Sequence, residues 1–152
     1  MSGVDGSSSV KIHGGPDLDD SKMITIKGVF GGNDIAGTVS GGSTVTTDGG
    51  KHLFVGQLFG GGNGDYDYEH DKILDSEGEP TSQDNPYYNK QKPEIGNASV
   101  NIKSGTFGYV YAGGNAATVT STAQITINNT SVPLDINGAD DSDAGDDLLW
   151  HS

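Results

Sequence analysis

The side chains best suited to chemistry crowd into one stretch of this chain. Asp65-Tyr66-Asp67-Tyr68-Glu69-His70-Asp71 alternates acids with aromatics, and Tyr87-Tyr88 follows. Four of the six tyrosines and nine of the 21 acids fall within residues 64–94. Tyrosine rings stack on sugars or peptide side chains, and carboxylates accept hydroxyl hydrogen bonds or hold calcium. Tyr66, Tyr68, Tyr87 and Tyr88 are therefore the candidate ligand-binding residues, and Asp65, Asp67 and Asp71 the candidate metal ligands. The plainer alternative is a hydrophilic surface loop whose tyrosines pack back on the rest of the chain.

Other clusters carry less. Gly61-Gly62-Asn63-Gly64-Asp65 is similar to the glycine-aspartate nonapeptide of calcium-binding β-rolls, but its aspartate falls one residue early and the unit is not repeated. Asp140, Asp141, Asp143, Asp146 and Asp147 lack the spacing and terminal Glu of an EF-hand. Calcium is thus the one cofactor to consider, and none is required. His13, His52, His70 and His151 form no triad or metal spacing, and no glycine loop is followed by a Lys and a helix for phosphate. Asp17, Asp19 and Asp20 follow Gly14-Gly15-Pro16 and read as a turn. Thr44-Val45-Thr46 and Thr118-Val119-Thr120 suggest an ice-binding face, but such a face needs the pair on every rung. The expectation is a protein that is not an enzyme. The alternative is a carbohydrate-active β-helix, a polysaccharide lyase or hydrolase with carboxylates in a groove, or a calcium-stabilised glycan-binding domain.

Charge narrows the partners. The net charge of −13 comes from 21 acids and eight lysines, with no arginine. Nucleic acid and anionic membrane surfaces both require cations, so both are excluded as partners. No cysteine is present, which removes disulfides and thiolate chemistry. No apolar run approaches the length of a membrane span. Met1–Ser9 has no basic region followed by an apolar one, so it does not read as a signal peptide.

The elements that must position the acidic stretch are repeats. Phe30-Gly31-Gly32-Asn33, Phe59-Gly60-Gly61-Gly62-Asn63 and Tyr111-Ala112-Gly113-Gly114-Asn115 share one punctuation mark. Gly56-Gln57-Leu58-Phe59 matches Gly108-Tyr109-Val110-Tyr111. Thr38-Val39 matches Thr118-Val119 and Val45-Thr46-Thr47 matches Ile125-Thr126-Ile127, both at a shift of 80 positions. Met23–Gly28 matches Ser99–Gly105 in type. Period-two runs such as Ile24-Thr25-Ile26 read as strands with one apolar face. Gly and Asn tolerate positive φ, so Gly-Gly-Asn reads as a corner. The expected fold is all-β, an irregular parallel β-helix or β-solenoid of short strands; the alternative is an antiparallel β-sandwich.

The pattern of Gly-x-apolar-aromatic-Gly-Gly-Asn followed by Thr-Val-Thr resembles the glycine-rich repeats of large adhesin-like surface proteins of gut bacteria. It covers residues 23–63 and 95–130. The resemblance implies an extracellular, cell-surface location and a structural or adhesive role. It also implies host or bacterial glycan or protein surfaces, and neighbouring repeat domains, as partners. Residues 1–9 are expected as a flexible lead-in, 10–137 as the β-repeat domain and 138–152 as an acidic tail or linker. Residues 64–94 interrupt the repeat as an insertion, the place where binding loops commonly sit.

Overall fold

A computed structural model describes residues 4–13 and 23–128; the acidic tail 138–152, Asp17, Asp19, Asp20 and His151 lie outside the described residues. The strands are β1 (Ser7–His13), β2 (Ile24–Phe30), β3 (Thr38–Val39), β4 (Gly42–Asp48), β5 (Leu53–Phe59) and β6 (Lys72–Leu74). They continue as β7 (Pro80–Asp84), β8 (Glu94–Ile95), β9 (Ala98–Ser104), β10 (Thr106–Tyr111), β11 (Thr118–Val119) and β12 (Ala123–Ile127). The described chain is all-β apart from a 3-10 turn at Gly50–His52.

Three sheets are visited in rotation. The first is β1-β4-β9-β12, the second β2-β5-β10 and the third β3-β8-β11. Every pairing within them is parallel. Among the described strands only β6 and β7 pair antiparallel. The antiparallel sandwich is therefore overturned. Its sequence signal, glycine turns between short strands, fits a hairpin equally well. Here those turns carry the chain to the next sheet, so each partner in these sheets comes from a distant part of the chain.

The register pairs most of the matched segments. Val45 and Ile125 both pair with Val100, and Thr38 and Thr118 both pair with Glu94, so the 80-position shift is structural. Gln57 faces Tyr109, and Phe59 faces both Phe30 and Tyr111. One match does not hold. Met23–Gly28 leads into β2 of the second sheet, whereas Ser99–Ser104 lies in β9 of the first. The counterpart of Val100-Asn101-Ile102 in the first sheet is Val10-Lys11-Ile12 of β1, both runs facing β4. Period two marks a strand without saying which sheet it joins. β1 also begins at Ser7, inside the stretch expected as a lead-in, and the Ser8 hydroxyl donates to the Gly31 carbonyl.

The core lies between the first two sheets. Val45, Val100 and Ile102 pack with Leu53, Val55, Leu58 and Phe107, all buried. Each such side chain contributes about 1.5–3 kcal/mol through burial. Val39 and Ile95 of the third sheet are also fully buried.

The corners work differently from the sequence expectation. None of the glycines or asparagines of the three Gly-Gly-Asn corners has positive φ. Close approach selects glycine instead. A Cβ on Gly31 would sit 2.2 Å from the Gly60 carbonyl oxygen, and one on Gly60 would sit 2.3 Å from that of Ala112. Likewise a Cβ on Gly108 would meet the Gly56 oxygen at 2.5 Å. The aromatics before the corners stack as a column: Phe30 on Phe59 at 5.0 Å and Phe59 on Tyr111 at 4.8 Å, nearly parallel. The corner amides form a second column, Asn115 Nδ2 donating to Asn63 Oδ1 (3.0 Å) and Asn63 Nδ2 to Asp34 Oδ1 (2.8 Å).

Candidate functional site

The insertion leaves the scaffold at the Asn63 corner. Gly64 takes φ +70°, a left-handed turn open to glycine, and its N–H donates to the Asp34 carbonyl at 2.8 Å. The chain then doubles back over the corner. The Tyr66 hydroxyl donates to the Asp34 carboxylate, 2.9 Å from each oxygen. The Tyr68 hydroxyl donates to the Ile35 carbonyl at 2.6 Å, and its ring is buried. Tyr66 and Tyr68 meet edge to face at 6.4 Å, and Tyr87 lies against Tyr66 at 4.3 Å. The ammonium of Lys92 stands 5.4 Å from the Tyr68 ring centre and that of Lys90 6.0 Å from that of Tyr87.

Asn85 is the buried hub of this segment. Its Nδ2 donates to the carbonyls of Asp67 and His70 at 2.8 Å each, and its Oδ1 accepts the Tyr87 N–H at 2.9 Å. Its own N–H reaches the Asp71 carbonyl at 2.9 Å. Beyond this hub β6 and β7 project as a hairpin. Asp75 closes the tip by accepting the N–H groups of Glu77 and Glu79, and Gly78 supplies the positive φ of the turn. Lys72 pairs with Asp84 at the hairpin base.

Three of the four predicted tyrosines therefore come together, packed back on Asp34 and Ile35 with two hydroxyls committed. Among the described residues no ring contact joins Tyr88 to them, and its side chain is exposed. The candidate metal ligands do not converge. Among the described residues no three His, Cys, Asp or Glu side chains are placed to hold a metal. Asp67 is occupied locally, accepting the N–H groups of Glu69 (2.9 Å) and His70 (3.2 Å) and facing His70 Nδ1 at 3.0 Å. The Thr-x-Thr pairs fall on different sheets, Thr44 and Thr46 in β4 and Thr118 in β11.

The electrostatics follow these bonds. The Glu69 N–H holds the Asp67 carboxyl below its ordinary value, the Glu79 N–H does the same for Asp75, and Lys72 for Asp84. The Tyr66 phenol is pushed up because its proton is donated to Asp34, and that of Tyr68 is pushed up by burial. Sequence reasoning missed Asp34, Ile35, Asn85 and the two lysines. Asn85-Pro86 and Asp75-Ser76-Glu77-Gly78 are turn signals that would have located the hub and the hairpin tip. No family model, curated protein or solved structure matches the chain.

Proposed function

We propose that this chain is a structural and adhesive module of a secreted bacterial surface protein, a β-solenoid whose coils carry residues 64–94 as a contact surface. On this reading each coil gives one strand to each of the three sheets, and neighbouring repeat domains extend the array. The partner is a glycan or protein surface of host or bacterium. Within the insertion, the contact rests on the groups left outside the packed tyrosine cluster: Tyr88 and the hairpin.

One observation carries the reading. The sheets keep their register across the interruption: β3 pairs with β8 and β4 with β9, although residues 64–93 intervene; Glu94, expected as the end of the insertion, is the first residue of β8. A scaffold indifferent to so long an insertion is one in which the insertion is free to serve something else. The test replaces residues 64–93 with Ala-Ala, the pair that joins Asn115 to Thr118 at the equivalent corner. The variant is expected to keep its β circular dichroism and a cooperative melt, and to lose binding on glycan and matrix-protein arrays. Unchanged binding refutes the contact surface, and loss of folding refutes the scaffold.

A further inference from the structure

Charge is unevenly divided along this chain. The scaffold segments 4–13, 23–63 and 94–128 hold four acids and four lysines, whereas residues 64–93 alone hold eight acids and three lysines. The net −13 therefore lies outside the repeat scaffold. The first sheet is the widest of the three, four strands in parallel register. Val10, Val45 and Val100 turn into the core, so the residues on either side of each face out.

One outer column runs Ser9, Thr44, Ser99, Gln124. The next runs Lys11, Thr46, Asn101, Thr126. Strands are spaced ~4.8 Å and alternate side chains ~7 Å, so the face is a regular grid of hydroxyls and amides. These groups both donate and accept hydrogen bonds, and within a column they already meet, as Gln124 does Ser99.

We propose that this face binds an extended, uncharged polysaccharide. A sugar polymer offers hydroxyls that donate and accept at regular intervals, which matches the grid. Protein interfaces centre on aromatic, Met and Arg anchors and are poor in Ser, and this face has no such anchor. A nucleic acid or an anionic glycan needs cations; this face offers Lys11 at the edge strand and Lys103, whose ammonium stands 3.9 Å from the Asp48 carboxylate. A single patch of this kind binds weakly, and a repeated array multiplies it through avidity. The site is independent of the insertion.

The test is depletion of the full chain from solution by microcrystalline cellulose and insoluble β-1,3-glucan, with polygalacturonate as the anionic comparator. Retention on at least one uncharged glucan is expected, unchanged in about 0.5 M salt, where exposed charges are screened. Thr46→Glu/Asn101→Glu, two outward positions that leave the core intact, should weaken it about tenfold or more, because each carboxylate resists losing its water. Thr46→Lys/Asn101→Lys should weaken it likewise, and both melts should match the parent. The Ala-Ala replacement of 64–93 should still bind. No retention on either glucan, equal retention on polygalacturonate, or unchanged binding by the Glu variant overturns the proposal. Binding lost with the insertion but kept by the Glu variant overturns it too, and leaves the insertion as the contact surface.

Discussion

Gly60→Ala tests why glycine occupies the corners. The added methyl would lie 2.3 Å from the Ala112 carbonyl oxygen and 3.1 Å from Val100 Cγ2. The first of these is backbone of the neighbouring strand, so the stack must part. Overpacking of this kind costs about 1–3 kcal/mol. Parting also strains the Gly60 N–H bond to the Tyr111 carbonyl (2.9 Å) and the Ser43 hydroxyl bond to the Gly60 carbonyl, each worth about 1 kcal/mol. The Phe59–Tyr111 stack adds about 0.5–1.5 kcal/mol. The total is about 5 kcal/mol, a large share of a native stability of about 5–15 kcal/mol. At about 3 °C per kcal/mol for a chain of this size, the melting temperature falls by about 15 °C. Gly113 belongs to the same motif one strand along, yet a Cβ there meets nothing within 4 Å. Gly113→Ala should therefore be neutral, or gain about 0.5 kcal/mol from a less flexible unfolded chain. Urea denaturation of both variants with a common m-value is the assay. If the two fall together, or if Gly60→Ala costs under 1 kcal/mol, close approach is not what selects the glycine.

Thr47 is fully buried and its hydroxyl has no hydrogen-bond partner, so Thr47→Val should raise stability by about 1 kcal/mol in the same denaturation experiment. Asn85→Ala strands the carbonyls of Asp67 and His70; hydrogen exchange and limited proteolysis should show residues 64–93 opening while the scaffold melt holds. The carboxyls of Asp67, Asp75 and Asp84 are held low by the folded state. Their contribution is present above the unfolded carboxyl range and is lost as pH falls through their folded values, so exchange in the insertion should rise in acid before the scaffold melts. The Tyr66 and Tyr68 phenols are raised, so their contribution is full below the ordinary tyrosine value near 10 and lost as pH climbs through the folded ones. Tyrosinate absorbance should show these two titrating above the ordinary tyrosine value, and Asp34→Asn should bring Tyr66 down towards it.

The strands were readable because their information is local. Ile125-Thr126-Ile127 and Val45-Thr46-Thr47 carry period two on their own, and the shared corner residues aligned them across 80 positions. The sheet each strand joins is not local, which is why Met23–Gly28 was matched to the wrong counterpart. The corner glycines were found for a reason that does not operate. Gly60 is demanded by the carbonyl of Ala112, a contact that exists only once the strands stack. In the insertion, the clustering of Tyr66, Tyr68 and Tyr87 followed from composition, but their partners Asp34 and Ile35 lie some thirty residues upstream. Asn85 before Pro86 carries only a turn signal in the sequence, and burial makes it a hub.

The place of the interruption has a physical logic. The first two sheets are built largely from seven-residue strands, whereas those of the third have two residues each. A detour taken just before the third sheet puts the fewest ladder bonds at risk. Lengthening the connection from the two residues between Asn115 and Thr118 to the thirty between Asn63 and Glu94 costs about 2.4 kcal/mol in closure entropy if the loop stays unstructured. The insertion meets that cost locally. Burying the Tyr68 ring contributes about 2 kcal/mol, and the Asn85 bonds fix both arms of the segment at one point. The tyrosines nearest the scaffold are thereby assigned to anchoring, and the hairpin and Tyr88 stand beyond them, clear of the stacked strands.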